Sequence, residues 1–182
     1  MSAWLSAPPY VWDHRTQGFT LLELLIVLAI VSILMTQAVP AMSRQLTDLS
    51  LKATARELRG ALMYARLHSQ RAGTSVYLCP PTGTNPVCSR IKQISQSTAQ
   101  VTVRDSEGTV LRTLALRHGI SLRNRQGALW LNEPLVWGSD GLGRKNATLS
   151  VCSSRHRDLN WSLVINRIGR PKLVSGWGQC AV

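Results

Sequence analysis

A chain of 182 residues suffices for one folded domain with a core of its own. Hydrophobic residues make up 45% of it, which excludes a wholly disordered chain, yet they are unevenly spread: nearly all of Phe19 to Met35 is apolar and no later stretch compares. Twenty-one basic against nine acidic residues give a net charge of +12, which either favours a polyanion (nucleic acid, anionic lipid or acidic polysaccharide) or serves solubility.

The chain opens with eighteen residues ending Asp13-His14-Arg15-Thr16-Gln17-Gly18, and the apolar run starts directly after them. A secretory signal places its small-residue cleavage site after the apolar run. Here Gly18 precedes the run and no A-x-A site follows, so the apolar segment stays in the processed protein. Loss of the first eighteen residues leaves the net charge unchanged, because Asp13 and Arg15 cancel. From Leu21 to about Val39 the segment matches the roughly 17–25 residues that cross a bilayer. Glu23 is the exception within it. A carboxylate at such depth costs roughly 2.5–3.5 kcal/mol without a partner. Two readings stand: a free amine at Phe19, of the same or a neighbouring subunit, neutralises it, or the helix dipole favours a carboxylate in the first turn.

Gly18-Phe19-Thr20-Leu21-Leu22-Glu23 resembles the type III signal of type IV prepilins and pseudopilins: a Gly before the cut, Phe as first mature residue and Glu as fifth. Pro40 falls where pilins commonly carry a helix-bending proline. The resemblance implies cleavage between Gly18 and Phe19 and N-methylation of Phe19 by the prepilin peptidase. It also implies an anchor in the inner membrane of a Gram-negative cell, with the head in the periplasm, and later passage into a pilus alongside other pilin subunits. The expected divisions are a leader at 1–18, a hydrophobic transmembrane and assembly helix at 19–40, and a periplasmic head at 41–182.

Helical periodicity resumes after Pro40. Leu46, Leu49, Ala53, Leu58, Leu62 and Ala65 recur three and four apart, with Arg44, Asp48, Lys52, Arg56, Arg59 and Arg66 between them. Gly73 is a stop, giving a helix from Phe19 to Ala72 of about 80 Å. A free coiled coil is the rival, but the heptad is not sustained. Beyond Gly73, short alternating runs at 75–79, 100–104, 109–117, 128–131, 148–152 and 161–166 read as strands separated by Gly, Pro, Asn and Asp. The expected class is α+β, a pilin fold: one long helix, its first half in the membrane, packed on a twisted antiparallel sheet. Trp130, Trp137 and Trp161 are expected in the core or on a sheet face, and Trp177 near the surface of the tail.

Cys79, Cys88, Cys152 and Cys180, in an exported chain, point to disulfides. Three pairings are possible. The Pro/Gly-rich stretch between Cys79 and Cys88 favours a short closed loop there, which leaves Cys152–Cys180 to tie the tail back and enclose Arg167 to Lys172. No C-x₂-C pair or ligand-spaced histidine supports zinc, no cofactor motif occurs, and no catalytic constellation is evident. His68 reads as a helix-face residue and His118 as a turn residue.

The stretch Ala55-Arg56-Glu57-Leu58-Arg59-Gly60-Ala61-Leu62-Met63-Tyr64-Ala65-Arg66 is similar to the helix end of the GspH/FimT/FimU group of minor pilins, with His68 and Ser69 as a small departure. Gly169-Arg170-Pro171-Lys172 likewise resembles that group's C-terminal Gly-Arg-x-Arg segment. Two roles are implied. FimT-like members bind DNA for uptake during natural transformation, through basic residues around that segment. FimU- and GspH-like members are structural, in the tip or initiation complex of a pilus or a type II secretion pseudopilus. Lys172 supplies a cation but lacks the Arg fork, and Pro171 removes a backbone donor. From Ser121 onward, Arg123, Arg125, Arg144, Lys145, Arg155, Arg157, Arg167, Arg170 and Lys172 outweigh three acids. Arg144, Lys145, Arg155, Arg157, Arg167, Arg170 and Lys172 are the candidate contacts to double-stranded DNA, through phosphates and without sequence preference. The alternative is that they are solvated loop charges, with Arg170 bonded internally to a carbonyl or to Asp158.

Overall fold

The computed structural model describes residues 18–81, 86–89, 99–130 and 133–180. The leader before Gly18, and Leu131 at the end of one expected strand, lie outside them. Helix α1 spans Leu21–Ala72, about 78 Å at 1.5 Å per residue. Thr20 caps it: its Oγ1 accepts the Glu23 N–H at 3.2 Å, which sets Thr20 and Glu23 at the capping-box spacing. Pro40 sits inside the helix without ending it, and the chain divides into two compact units just beyond, between Ala41 and Met42.

In the first unit every described residue is exposed. Its apolar side chains run from Phe19 through Val39 with no partner in that unit. The Ser32 and Thr36 hydroxyls donate to the Ala29 and Ile33 carbonyls, so these polar groups are satisfied by the helix itself, as an apolar environment demands.

The second unit holds the core. Strands follow in the order β1 (Val76–Cys79), β2 (Gln100–Arg104), β3 (Val110–Ala115), β4 (Ile120–Arg123), β5 (Leu135–Trp137), β6 (Ala147–Ser153), β7 (Asn160–Ile165) and β8 (Pro171–Ser175), with a one-turn helix α2 (Pro86–Ser89) after β1. They form two four-stranded antiparallel sheets, β3-β2-β1-β5 and β4-β6-β7-β8, rather than the single sheet expected. Strands β4, β5 and β8 were not expected, while the expected run at 128–131 contributes only a bridge at Leu129 among the described residues. Strand β5 is too short, and β8, which opens on Pro171 directly after Gly169-Arg170, too obscured at its start, to show a period of two. A proline opening an edge strand removes no ladder bond, so Pro171 is accommodated.

One face of α1 carries Leu51, Ala55, Leu58, Ala61, Leu62 and Ala65 into a core shared with Val76, Leu78, Val101 and Val103 of the first sheet and Leu149, Val151, Leu163 and Ile165 of the second. Leu46 and Leu49, expected on that face, are instead exposed. Both sets obey helical spacing, and the sheets decide which is covered. Trp137 and Trp130 are buried as expected. Trp161 is half-buried, donates its indole N–H to Asp48 at 2.8 Å and lies under Lys52, pinning β7 to α1.

Candidate nucleic-acid interface

Two polar segments meet at one end of the second sheet. The first is the β7–β8 turn, Asn166 to Arg170. Its Gly169 N–H donates to the Asn166 carbonyl at 2.9 Å, and the Arg170 N–H reaches the Asn166 side-chain oxygen at 3.4 Å. Gly169 has φ of +76°, and a Cβ there would lie 2.7 Å from the Gly141 carbonyl and 2.9 Å from the Trp137 indole nitrogen. Only glycine fits both the backbone and the space. The second segment, Gly138 to Lys145, joins β5 to β6. Its Gly143 N–H donates to the Arg167 carbonyl at 2.9 Å, the contact that brings the two together. Arg66 donates to the Gly141 carbonyl and Gln70 to the Asp140 carbonyl, fixing this segment to the last turns of α1.

The juxtaposition gathers Arg144, Lys145, Arg167 and Arg170, all exposed. Lys172 adds a fifth cation one residue into β8. It stands directly opposite Val164, which is itself opposite Thr148, so all three occupy one row on the outer face of the sheet. Against these five stand two carboxylates. Glu133 is bonded to Lys145, whose ammonium holds its carboxyl below the usual carboxylate range. Asp140 turns its oxygen onto the Leu142 N–H at 2.9 Å. The arginines of this group form no ion pair among the described residues, leaving their guanidiniums available to an anion.

Arg155 and Arg157 lie elsewhere. They sit in the β6–β7 turn, at the opposite end of β7, about 17 Å of strand away. That turn is tied to α1 by the ion pair Arg44–Asp158, whereas the Gly138–Lys145 segment is tied to Arg66 and Gln70. The two anchor points are about 33 Å apart along the helix. The seven cations expected to act together therefore form two groups, because the strand between their turns keeps them apart. Asp158 bonds Arg44 and not Arg170.

The tail after β8 folds back over the outer face. Gly178 donates to the Ser162 hydroxyl at 3.0 Å and accepts from the Asn160 amide at 2.8 Å, while Ser150 and Ser162 share a bond beneath it. Cys180 is joined to Cys152, and Cys79 to Cys88. Trp177, half-exposed, packs under the Arg125 guanidinium at 5.2 Å. The two border an open cleft of about 850 Å³ that also takes in Thr148, Val164, Asn166 and Lys145, continuous with the five-cation end. Nothing in the local sequence around Trp177 pairs it with Arg125; the contact depends on the tail reversing direction.

At the other extreme of the chain, Gly18 and Phe19 precede α1 and are exposed, and Glu23 lies in its first turn. Arg104, which no motif singled out, is buried: its guanidinium donates to the Gly108 and Val87 carbonyls and to Thr102 Oγ1. Burial pushes its pKa down while Asp105 pushes it up. It is a structural cation, unavailable to a ligand.

A long N-terminal helix, apolar and uncovered in its first half, with its second half packed on antiparallel sheets, is the architecture of type IV pilins and pseudopilins. Residues 13–36 match the prokaryotic N-terminal methylation motif, and residues 54–169 match the family described as type II transport protein GspH. The second match covers well over half of the chain, which belongs to that family. The chain is thus a minor pilin or pseudopilin. The type IV minor pilin FimU of Pseudomonas aeruginosa superposes with a TM-score of 0.52 at 17% identity, over 72% of this chain and 95% of that one. The minor pseudopilin EpsH from the type 2 secretion system of Vibrio cholerae gives 0.48 at 15% identity, over 69% and 97%. The likeness to FimU, at this identity, is one of fold. No curated protein has significant similarity in sequence.

Proposed function

We propose that this chain is a minor type IV pilin that binds double-stranded DNA without sequence preference, through Arg144, Lys145, Arg167, Arg170 and Lys172, in DNA uptake during natural transformation. The observation that carries the reading is the Gly143–Arg167 hydrogen bond, which joins two basic segments into one surface of five cations. Asn166 and Gly169 fix the backbone of the Arg-bearing turn, so little ordering entropy opposes phosphate contact there. In the same reading, the prepilin peptidase removes residues 1–18 and methylates Phe19. The 19–40 segment then holds the subunit in the inner membrane, and Glu23 sets its register against other pilin subunits. No catalytic role is assigned.

The test is titration of a duplex of about 30 base pairs with the disulfide-intact head from Met42, across a range of salt. Five phosphate contacts predict a slope of log K on log salt near −4.5, a loss of about 500-fold between 50 and 200 mM. Arg170→Ala with Lys172→Ala lowers the slope to about −2.7, a loss of about 40-fold over the same interval. Arg155→Ala with Arg157→Ala leaves it at the parent value. Equal slopes in parent and Arg170/Lys172 variant would overturn the placement.

A second reading, a structural subunit of a pilus tip or type II secretion pseudopilus, is favoured by Leu142 and Ile168. These apolar side chains are exposed on the two joined segments, 47% and 56% accessible, which suits a protein contact better than a phosphate. Failure to bind duplex even at low salt would leave that reading.

A further inference from the structure

The second basic group has its own place in the molecule. Arg155 lines a cleft of about 460 Å³ whose other wall is Ser43, Leu46 and Thr47 of α1, with His118 and Ser154 at its side. Asp158, three residues further on, is paired with Arg44. The Ser154 N–H donates to the Gly119 carbonyl at 2.9 Å, which sets the β3–β4 turn, with exposed Arg117, beside the same turn. Ser153 Oγ accepts the N–H groups of Arg155 and His156, so the cation-bearing turn has a defined shape. The two carboxylates at this end are already engaged, Asp158 by Arg44 and Asp48 by the Trp161 indole. Arg117, Arg155 and Arg157 remain as exposed cations without an ion-pair partner among the described residues.

The apolar stretch of α1 ends at Val39, and Arg44 follows five residues later. Five residues span no more than about 18 Å even fully extended. Whatever the disposition of the two units, a turn tied at Arg44 stays within headgroup reach of a bilayer that the apolar stretch crosses. We infer that Arg117, Arg155 and Arg157 form a docking surface for anionic phospholipid headgroups, which holds the head against the membrane before the subunit leaves it. This rests on the apolar segment being a membrane anchor and is independent of DNA binding. Lipid is the occupant favoured because three arginines unpaired among the described residues stand here beside carboxylates that are already engaged, and because the chain itself delivers them to a bilayer interface, where anionic headgroups attract such cations. Each cation near such a surface favours the docked state about fivefold, so Arg155 and Arg157 together are worth about 25-fold.

The experiment uses the full chain in nanodiscs of phosphatidylcholine alone or with about a third phosphatidylglycerol, which supplies the negative surface potential. Co-elution with the disc reports anchoring separately. Hydrogen exchange of the 153–159 segment reports docking, and exchange of β6 and β7 reports folding. The expected result is slower exchange at 153–159 in the anionic disc, erased by high salt and by Arg155→Ala with Arg157→Ala. Arg167→Ala with Arg170→Ala should not erase it. Exchange that is the same in both discs, in a chain that co-elutes and keeps its β6 and β7 protection, would overturn the inference. So would protection that follows the number of chains per disc and not the lipid, which would assign the surface to a neighbouring subunit.

Discussion

Removing the Cys152–Cys180 bond should be the more damaging of two disulfide deletions, and the margin follows from the fold. The two cysteines are 28 residues apart and enclose β7, β8 and both of their turns, whereas Cys79 and Cys88 are 9 apart. Constraining an unfolded chain over those separations contributes about 3.6 and about 2.6 kcal/mol on the loop-entropy account. Cys152→Ala with Cys180→Ala should therefore lower the unfolding free energy of the head by about 3.6 kcal/mol, or roughly 10–14 °C in midpoint. The measurement is urea unfolding of both paired variants, with the slope checked for constancy so that the midpoint reports stability. A cost under about 1 kcal/mol, or a larger cost for the Cys79/Cys88 pair, would refute the argument. The same variant bears on the basic turn. The disulfide encloses Arg167 to Lys172, and the turn also has anchors of its own: five paired positions between β7 and β8 and the bond from the Gly143 N–H to the Arg167 carbonyl. Where the variant is still folded, its affinity for duplex should stay within about twofold of the parent, because the charge that sets binding is unmoved.

Other consequences are more local. Gly178→Ala places a Cβ 1.7 Å from Ser150 Oγ, so the tail must lift from the sheet; overpacking of this kind costs about 1–3 kcal/mol. It should also speed exchange at Gly178 while leaving β6 and β7 protected, and wild-type stability with an unmoved tail would contradict the placement. Glu133 should titrate below the ordinary carboxylate range in an NMR experiment, because Lys145 bonds its charged form. A depressed carboxyl contributes above its unfolded pKa and loses that contribution as the pH falls through the folded value, so the effect belongs to the acidic side. Lys145→Ala should return the midpoint to the ordinary range, and an unmoved midpoint would discount the pair.

The basic residues acquire meaning from being divided. In sequence, Arg155, Arg157, Arg167, Arg170 and Lys172 lie within eighteen residues and look like one cluster. A hairpin places the turns before and after one of its strands at opposite ends, so proximity along the chain becomes separation in space. The reverse holds for Arg144 and Arg167, over twenty residues apart yet brought together by the backbone hydrogen bond from Gly143, the neighbour of Arg144, to the Arg167 carbonyl. The sheet thus presents two cationic ends, one tied to α1 at Arg44 and the other at Arg66 and Gln70.

The long apolar helix and the N-terminal methylation motif were legible in the residues because each is a local, linear property. A predominantly apolar run from Leu21 to Val39, Gly18 before it and Thr20 three residues ahead of Glu23 require no partner from elsewhere in the chain. The same is true of the helix beyond Pro40 and of the strands with enough residues to show alternation. The number of sheets, the covered face of α1, the short strands β4, β5 and β8, and the grouping of cations were not legible in this way. Leu46 and Leu58 have equal claim to the core by spacing, and only the sheets that pack on α1 distinguish them. Trp177 meets Arg125 solely because Gly178 lets the tail lie against Ser150 and Ser162. Such contacts join residues far apart in the chain, and a periodicity or a motif records only what near neighbours do.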